Sequence, residues 1–260
     1  MTLTAPTETT VRELRNYIGG RWVPATTTQR LDVTDPATGG VLARVPLSGA
    51  QDVAAAAVAA RAALPGWRGT SVIRRAALLF SLRQALVDRA EELARTVTAE
   101  MGKTLPDARA EVGRMIEMVE AATAVPQTTQ GRNLEGIATN VDIETIRQPV
   151  GVCAAITPFN FPAMVPMWFL PFAIGCGNTF ILKPSEQDPL TQTIVFEILE
   201  QIGVPPGVVN LVHGGADVVN GICDSPDIDA VSFVGSARVA KHVYTRAAAT
   251  GKRVQALGGA

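Results

Sequence analysis

Cysteine, histidine, aromatic side chains and unbalanced charge are all scarce in this chain. Of its 260 residues, three are cysteine and two are histidine. Cys153, Cys176 and Cys223 stand far apart with no CxxC pair, and only His213 and His242 remain to complete a metal site. Neither a disulfide framework nor a zinc site fits that spacing. Acidic and basic residues nearly cancel, at 24 against 23, without a long run of lysine or arginine, so the electrostatic footprint of a nucleic-acid binder is missing. Residues 1–10 are polar and rich in threonine, without the basic and apolar regions of an export signal, so a cytoplasmic location is expected. What is abundant is apolar: 47% of the residues are hydrophobic, which in a chain of this length supports a large buried core. The expected partner is a small molecule or another protein.

Residues 148–182 contain no charge, and hydropathy alone would allow a membrane span there. Pro158, Pro162, Pro166 and Pro171 argue against it, because each breaks or strains a helix interior, and Gly175, Gly177 and Asn178 follow as turn residues. A straight helix of about 20 residues is hard to build from such a segment. No membrane association is expected.

Along the chain, residues 16–24 carry Gly19-Gly20 between short apolar runs, which predicts a small hairpin. Residues 35–39, DPATG, mark a turn. The alanine-rich stretch 51–64 predicts a helix ended by Pro65-Gly66. Apolar residues at three- and four-residue steps predict further helices over 71–101, closed by Gly102, and over 106–124. In 138–150, Val141, Ile143 and Thr145 alternate with polar residues, as in a strand with one wet face. Beyond residue 150, short apolar strands at 152–156, 179–182, 208–212, 230–234 and 253–257 alternate with helices. Such a series predicts an α/β protein with a mostly parallel, doubly wound sheet covered on both faces. The helix after Pro189 is the best marked, with Asp188 as its amino-terminal cap and Gly203 just past its end. The expected organisation is an N-terminal helical segment over 1–137, a bridging strand segment over 138–150 and a Rossmann-type domain over 151–260.

Three segments carry chemistry. At 232–236, SFVGS, a strand ends in Gly235 and Ser236 at the start of a helix, where free N–H groups and the helix dipole favour a phosphate. The plain alternative is a junction that merely turns the chain. At 181–186, ILKPSE, an uncharged strand delivers Lys183 and Glu186 to its carboxyl end, where open α/β sheets bind ligands, and both side chains suit vicinal ribose hydroxyls. A solvated surface pair is the alternative. At 157–162, TPFNFP, Asn160 sits among apolar residues directly after a strand, so its amide must find a partner or serve a ligand. A buried asparagine satisfied by nearby backbone is the alternative there.

TPFNFP, ILKPSE and FVGS in this order, preceded by NYIGGRW and EMGKTLPDA, resemble the aldehyde dehydrogenase superfamily through almost the whole chain. Residues 156–186, EVGR at 111–114 and VQALGGA at 254–260 look like the CoA-acylating methylmalonate-semialdehyde dehydrogenase branch. The resemblance implies an oxidoreductase with a Rossmann-type sheet, an N-terminal helical segment and a bridging β-hairpin, homo-oligomeric in its full-length form. It implies NAD as cofactor and coenzyme A as co-substrate, in the oxidation of methylmalonate or malonate semialdehyde, with loss of carbon dioxide, to propionyl-CoA or acetyl-CoA.

Carried over by that resemblance, Asn160 donates to the oxyanion, and Thr157 and Phe159 line the nicotinamide side. Lys183, Glu186 and Gln187 hold the adenosine ribose, Gly235 and Ser236 meet the pyrophosphate, and Gly258 brings backbone close to the nicotinamide. Arg114 would clamp the substrate carboxylate with two parallel hydrogen bonds. Its alternative is an ordinary surface arginine.

Two departures stand out. Hydrolytic members have a glutamate directly before LGG to activate water, but here the residue is Ala256, which cannot act as a base. That favours transfer to a thiol such as CoA over a carboxylate-forming reaction. The family's nucleophilic cysteine lies beyond LGG, and none of the three cysteines here matches it, so this polypeptide alone is expected to be truncated before the catalytic domain and inactive toward aldehyde. The competing readings are a non-catalytic dinucleotide-binding or interaction fragment and an ordinary hydrolytic NAD(P)-dependent aldehyde dehydrogenase.

Overall fold

The computed structural model describes residues 11–260; the polar stretch read at 1–10 lies outside them. The chain opens with β1 (Arg12–Glu13), the hairpin β2 (Asn16–Ile18) and β3 (Arg21–Val23), then β4 (Arg30–Thr34) and β5 (Val41–Pro46). Gly19 and Gly20 take φ of 60° and 81°, the left-handed pair that a two-residue hairpin turn needs, so the hairpin stands where the sequence puts it. β4 and β5 are antiparallel and β1 adds to β5 in parallel, as a three-stranded sheet that sequence alternation did not reveal. Leu14, Val33, Ala43 and Val45 form its small buried core, with Leu190 packed against it.

Four main helices follow: α1 (Ala50–Gly69), α2 (Val72–Asp88), α3 (Ala90–Met101) and α4 (Leu105–Ala122), with the short α5 (Val125–Thr128) behind them. Pro65 does not end α1, contrary to the expectation from sequence. A proline inside a helix costs about 3 kcal/mol. Trp67, two residues on, is buried and its indole N–H donates to the Ile174 carbonyl at 3.0 Å. Burying a tryptophan is worth roughly 4–6 kcal/mol at 25 cal/mol per Å², so the docked indole holds the last turn in place. The stretch 71–101 is two helices, not one, breaking at Arg89. A straight helix of that length would run about 45 Å. The break instead lets Leu82 and Leu86 on one side and Leu93 and Val97 on the other enter a single core. Gly102, at φ 81°, closes α3 as expected.

A hairpin of β6 (Arg132–Ala138) and β7 (Val141–Thr145) then stands apart as its own two-stranded sheet. Every residue of both strands is exposed, so β7 is wet on both faces, not on one.

The uncharged segment resolves into β8 (Val152–Ile156), the short α6 (Met164–Met167) and α7 (Leu170–Gly175), and β9 (Thr179–Lys183). Among the described residues, no helix is long and apolar enough to cross a membrane. After it come α8 (Leu190–Gln201), β10 (Val209–Leu211), α9 (Ala216–Asp224), β11 (Ala230–Gly235), α10 (Ala237–Ala249) and β12 (Arg253–Gly258). The main sheet runs β12-β11-β8-β9-β10-β2-β3, its first five strands parallel and the β2–β3 hairpin antiparallel at one edge. Alternate residues face alternate layers, as a pleated strand requires. Ala155, Phe180, Leu182 and Val234 pack with the α2–α4, α7 and α8 side, while Ile156, Ile181, Val231 and Phe233 pack with α1, α9 and α10. The sheet is therefore covered on both faces, the doubly wound arrangement.

α8 begins differently from the expectation. Its cap is Pro189, and Asp188 supplies no capping bond. Glu100, reaching from α3, accepts the N–H groups of Leu190 at 2.6 Å and Thr191 at 2.9 Å. The orphan donors of a helix start are met from another helix, a partner that no local pattern announces.

Candidate functional site

The strand register sets the geometry. Ile156 pairs with Lys183 on one side and Phe233 on the other, and Phe233 pairs in turn with Ala256. Those four positions form one row across β9, β8, β11 and β12, so the loops that follow them leave the sheet along the same edge. At about 4.8 Å per strand the row spans roughly 15 Å. The chain steps from β8 to β9 on one side and later returns to β11 on the other, so the switch point lies between β8 and β11. Open α/β sheets bind their ligands in the crevice at such a switch. Thr157 stands at the tip of β8 and Gly235-Ser236 at the tip of β11.

At the β9 tip, the buried ammonium of Lys183 donates to Glu186 Oε2 at 2.7 Å, and Glu186 is about one-third exposed. A buried cation with a partly open carboxylate is a fixed pair, not a solvated one. Gln187 is exposed beside it. The turn after β10 comes close as well: a side chain at Gly215 would lie 3.9 Å from Glu186 Oε1. That His213-Gly214-Gly215 turn was missed from sequence, because a strand followed by two glycines resembles any tight connection.

At the β11 tip, Ser236 caps α10 with φ −65° and ψ 149°, yet its side chain makes no capping bond and the first turn of the helix carries no acid. The positive end of the helix is thus left unneutralised, a setting that favours an anion. Gly235 is tight: a Cβ there would meet the Phe233 ring at 2.5 Å. Gly258 is paired with Gly235, and a Cβ on it would lie 3.2 Å from the Ala237 backbone. Ala256 is half-buried on β12.

At the β8 tip, Thr157 is buried and Phe159 is about half exposed. Asn160 is half-buried, and its Oδ1 is buried without a hydrogen-bond partner among the described residues. The neighbouring backbone thus leaves the amide oxygen unsatisfied, contrary to the plain alternative for this residue. Arg114 lies on α4 three residues past Glu111, two-thirds exposed and paired with Glu117 at 2.7 Å. Lys103 and Glu111, which no motif singled out for a role, reach the Asn160 loop directly: Lys103 Nζ donates to Glu111 Oε2 at 2.5 Å and to the Asn160 carbonyl at 3.0 Å.

Burial raises all three thiols. Cys153 is pushed up to about 12 and Cys223 to about 11, and Cys176 is raised in the same direction. None is a ready nucleophile, since the thiolate is the reactive form.

Beneath the Lys183 loop lies a cluster of buried acids. Burial lifts Glu100 to about 7, against the hydrogen bonds from Thr191 and Leu190. Burial, with Glu100 adding to it, lifts Asp188 to about 8, and Glu111 and Lys183 face it with opposing effects. Burial lowers His213 to about 3, with Lys183 acting the same way. The folded carboxyls hold protons that the unfolded chain releases, so their contribution is full below about pH 4 and is lost as the pH rises through 7 and 8. His213 works oppositely, and its contribution is complete above about pH 6.5. Between pH 6.5 and 8 only the carboxyls act, and stability should fall by on the order of 2 kcal/mol. Denaturant unfolding across that range should show the fall, with a shallower slope in Glu100→Gln. A flat profile in the unmodified chain would contradict the assignment.

A mostly parallel sheet covered on both faces, with polar groups at the tips of β8, β9 and β11, places the protein in the doubly wound α/β class. Residues 22–260 match the model of the aldehyde dehydrogenase family, and the chain belongs to that family. It is 52% identical over 250 residues to malonate-semialdehyde dehydrogenase 2 of Bacillus mycoides (strain KBAB4), covering 96% of this chain and 52% of that relative. It is also 52% identical to the malonate-semialdehyde dehydrogenase of Lacticaseibacillus casei, over 98% of this chain and 52% of the relative. Among solved structures, a protein described as a methylmalonate-semialdehyde dehydrogenase from Sinorhizobium meliloti 1021, complexed with NAD, superposes with a TM-score of 0.94 at 43% identity, covering 97% of this chain and 52% of that one. The methylmalonate-semialdehyde dehydrogenase of Oceanimonas doudoroffii gives 0.93 at 40% identity, over 96% and 51%. The chain spans about half the length of the curated relatives it matches.

Proposed function

We propose that this chain forms the NAD-binding part of a CoA-acylating dehydrogenase for malonate or methylmalonate semialdehyde. The observation that carries the reading is the register row, which gathers the tips of β8, β9, β11 and β12 along one edge of the sheet. Lys183 and Glu186, with Gln187 beside them, suit the hydroxyls of the adenosine ribose, one as donor and one as acceptor. The uncapped start of α10 at Gly235 and Ser236 suits the pyrophosphate. Thr157, Phe159 and Gly258 then border the nicotinamide, which when bound supplies the hydride acceptor. The amide of Asn160 donates to a substrate carbonyl oxygen, whose developing charge it stabilises. Arg114, freed from Glu117, grips the substrate carboxylate by two parallel bonds. In this reading residues 1–137 and 151–260 build the cofactor domain and 138–150 bridge toward a partner copy.

Ala256 supports the acylating branch. With no base at that position, nothing on β12 activates water, and an acyl group awaits a thiol. With malonate semialdehyde, NAD and the cysteine-bearing remainder of a relative, NADH formation beyond about one equivalent per site should require CoA. Steady multiple turnover at the same rate without CoA would favour a hydrolytic enzyme instead.

A further inference from the structure

The Asn160 loop is anchored from outside the sheet by a pair to which the resemblance assigns no role. The Glu111 side chain is 1% exposed and that of Lys103 is 12% exposed. Glu111 Oε1 accepts the N–H groups of Ala163 at 2.8 Å and Met164 at 3.2 Å, while its Oε2 is held by Lys103. The Lys103 ammonium also donates to the Asn160 carbonyl and sits 4.0 Å from the centre of the Phe161 ring. On the far side, the buried Gln192 amide donates to the Pro162 carbonyl at 2.7 Å.

These bonds address the backbone, so they fix where the loop lies and leave its side chains free for other work. A loop held on one strand only would be set by its own conformational preferences. Here a carboxylate collects the N–H groups on one side of Pro162 and an ammonium collects the carbonyl on the other. Charge-assisted bonds of this kind are shorter and about twice as strong as neutral ones. The pair comes from α4 and the α3–α4 connection, so it fastens the loop to the helical layer and not to the sheet.

We propose that Lys103 and Glu111 are positioning residues, a buried ion pair that sets residues 157–161 against the nicotinamide half of the bound dinucleotide and presents the Asn160 amide there. The inference rests on the reading of this edge as an NAD site. It makes a distinction that general destabilisation does not. The adenosine half is held by Lys183, Glu186 and Ser236, none of which touches this pair in the bonds described above. Loosening the pair should weaken NAD while sparing ADP-ribose, which lacks the nicotinamide.

The test compares NAD with ADP-ribose binding to the 260-residue chain and to its Glu111→Gln and Lys103→Met variants, beside amide hydrogen exchange at Ala163 and Met164. Glu111→Gln keeps the side chain's volume and one acceptor, so it serves where Glu111→Ala does not fold. The expected result is a roughly fivefold loss of NAD affinity with ADP-ribose within about twofold of the unmodified chain, and faster exchange at both amides. An equal loss for both ligands, or no loss for either with unchanged exchange, would overturn the proposal. If the unmodified chain binds neither ligand, the NAD reading fails, and the exchange data still decide whether the pair anchors the loop.

Discussion

Replacing Ser236 with aspartate should make the fold slightly more stable and should abolish useful NAD binding. The two effects share one cause. The start of α10 carries unsatisfied N–H groups, no capping bond from Ser236 and no acid in its first turn. An aspartate there completes the helix from within, worth about 0.3–1 kcal/mol through the dipole and by capping. It also puts a negative charge where the pyrophosphate must lie. Like charges set together cost several kcal/mol, so NAD affinity should fall by at least about a hundredfold. Titration of the variant with NAD, beside its thermal unfolding, reads both signs. A variant that is stabilised and still binds NAD normally would move the pyrophosphate away from this helix.

Lys183→Ala should weaken NAD by about one to two orders of magnitude. A hydrogen bond to a charged group contributes about 1.5–3 kcal/mol, and each 1.4 kcal/mol is about tenfold. The side chain is almost wholly buried, and its removal leaves Glu186 without its cation. The carboxylate then faces the ribose alone. Stability should respond less evenly. Lys183 opposes the raised protonation of Asp188, so its loss should make the decline of stability above neutral pH steeper. Binding within twofold of the unmodified chain would place the ribose elsewhere.

What the amino-acid sequence discloses of this fold follows from where each signal resides. The β2–β3 hairpin, Gly102, Gly203 and the strand series after residue 150 were readable because each depends on nearby residues: a glycine that must take positive φ, or a short apolar run between turns. The continuation of α1 through Pro65 was not readable. It depends on Trp67 meeting Ile174, more than one hundred positions away. Asp188 is a sound cap by type, yet Glu100 does the work from another helix. The same limit hid Lys103 and Glu111. Both stand in stretches that resemble the family, but a lysine and a glutamate eight residues apart with Pro106 between them suggest no contact. Only the packing of α4 against the Asn160 loop brings them to one backbone. The sheet row was implicit in the parallel pattern, whereas its register was not, since an apolar strand admits several pairings with its neighbour.

The reading of the sheet edge as a dinucleotide site faces its plainest test in a calorimetric titration of NAD into the folded 260-residue chain. One saturable site per chain, weakened at least about a hundredfold in Ser236→Asp and about tenfold or more in Lys183→Ala while each variant remains folded, is the expected outcome. A folded chain that takes up no NAD, or one whose affinity is unchanged by both substitutions, would contradict the account.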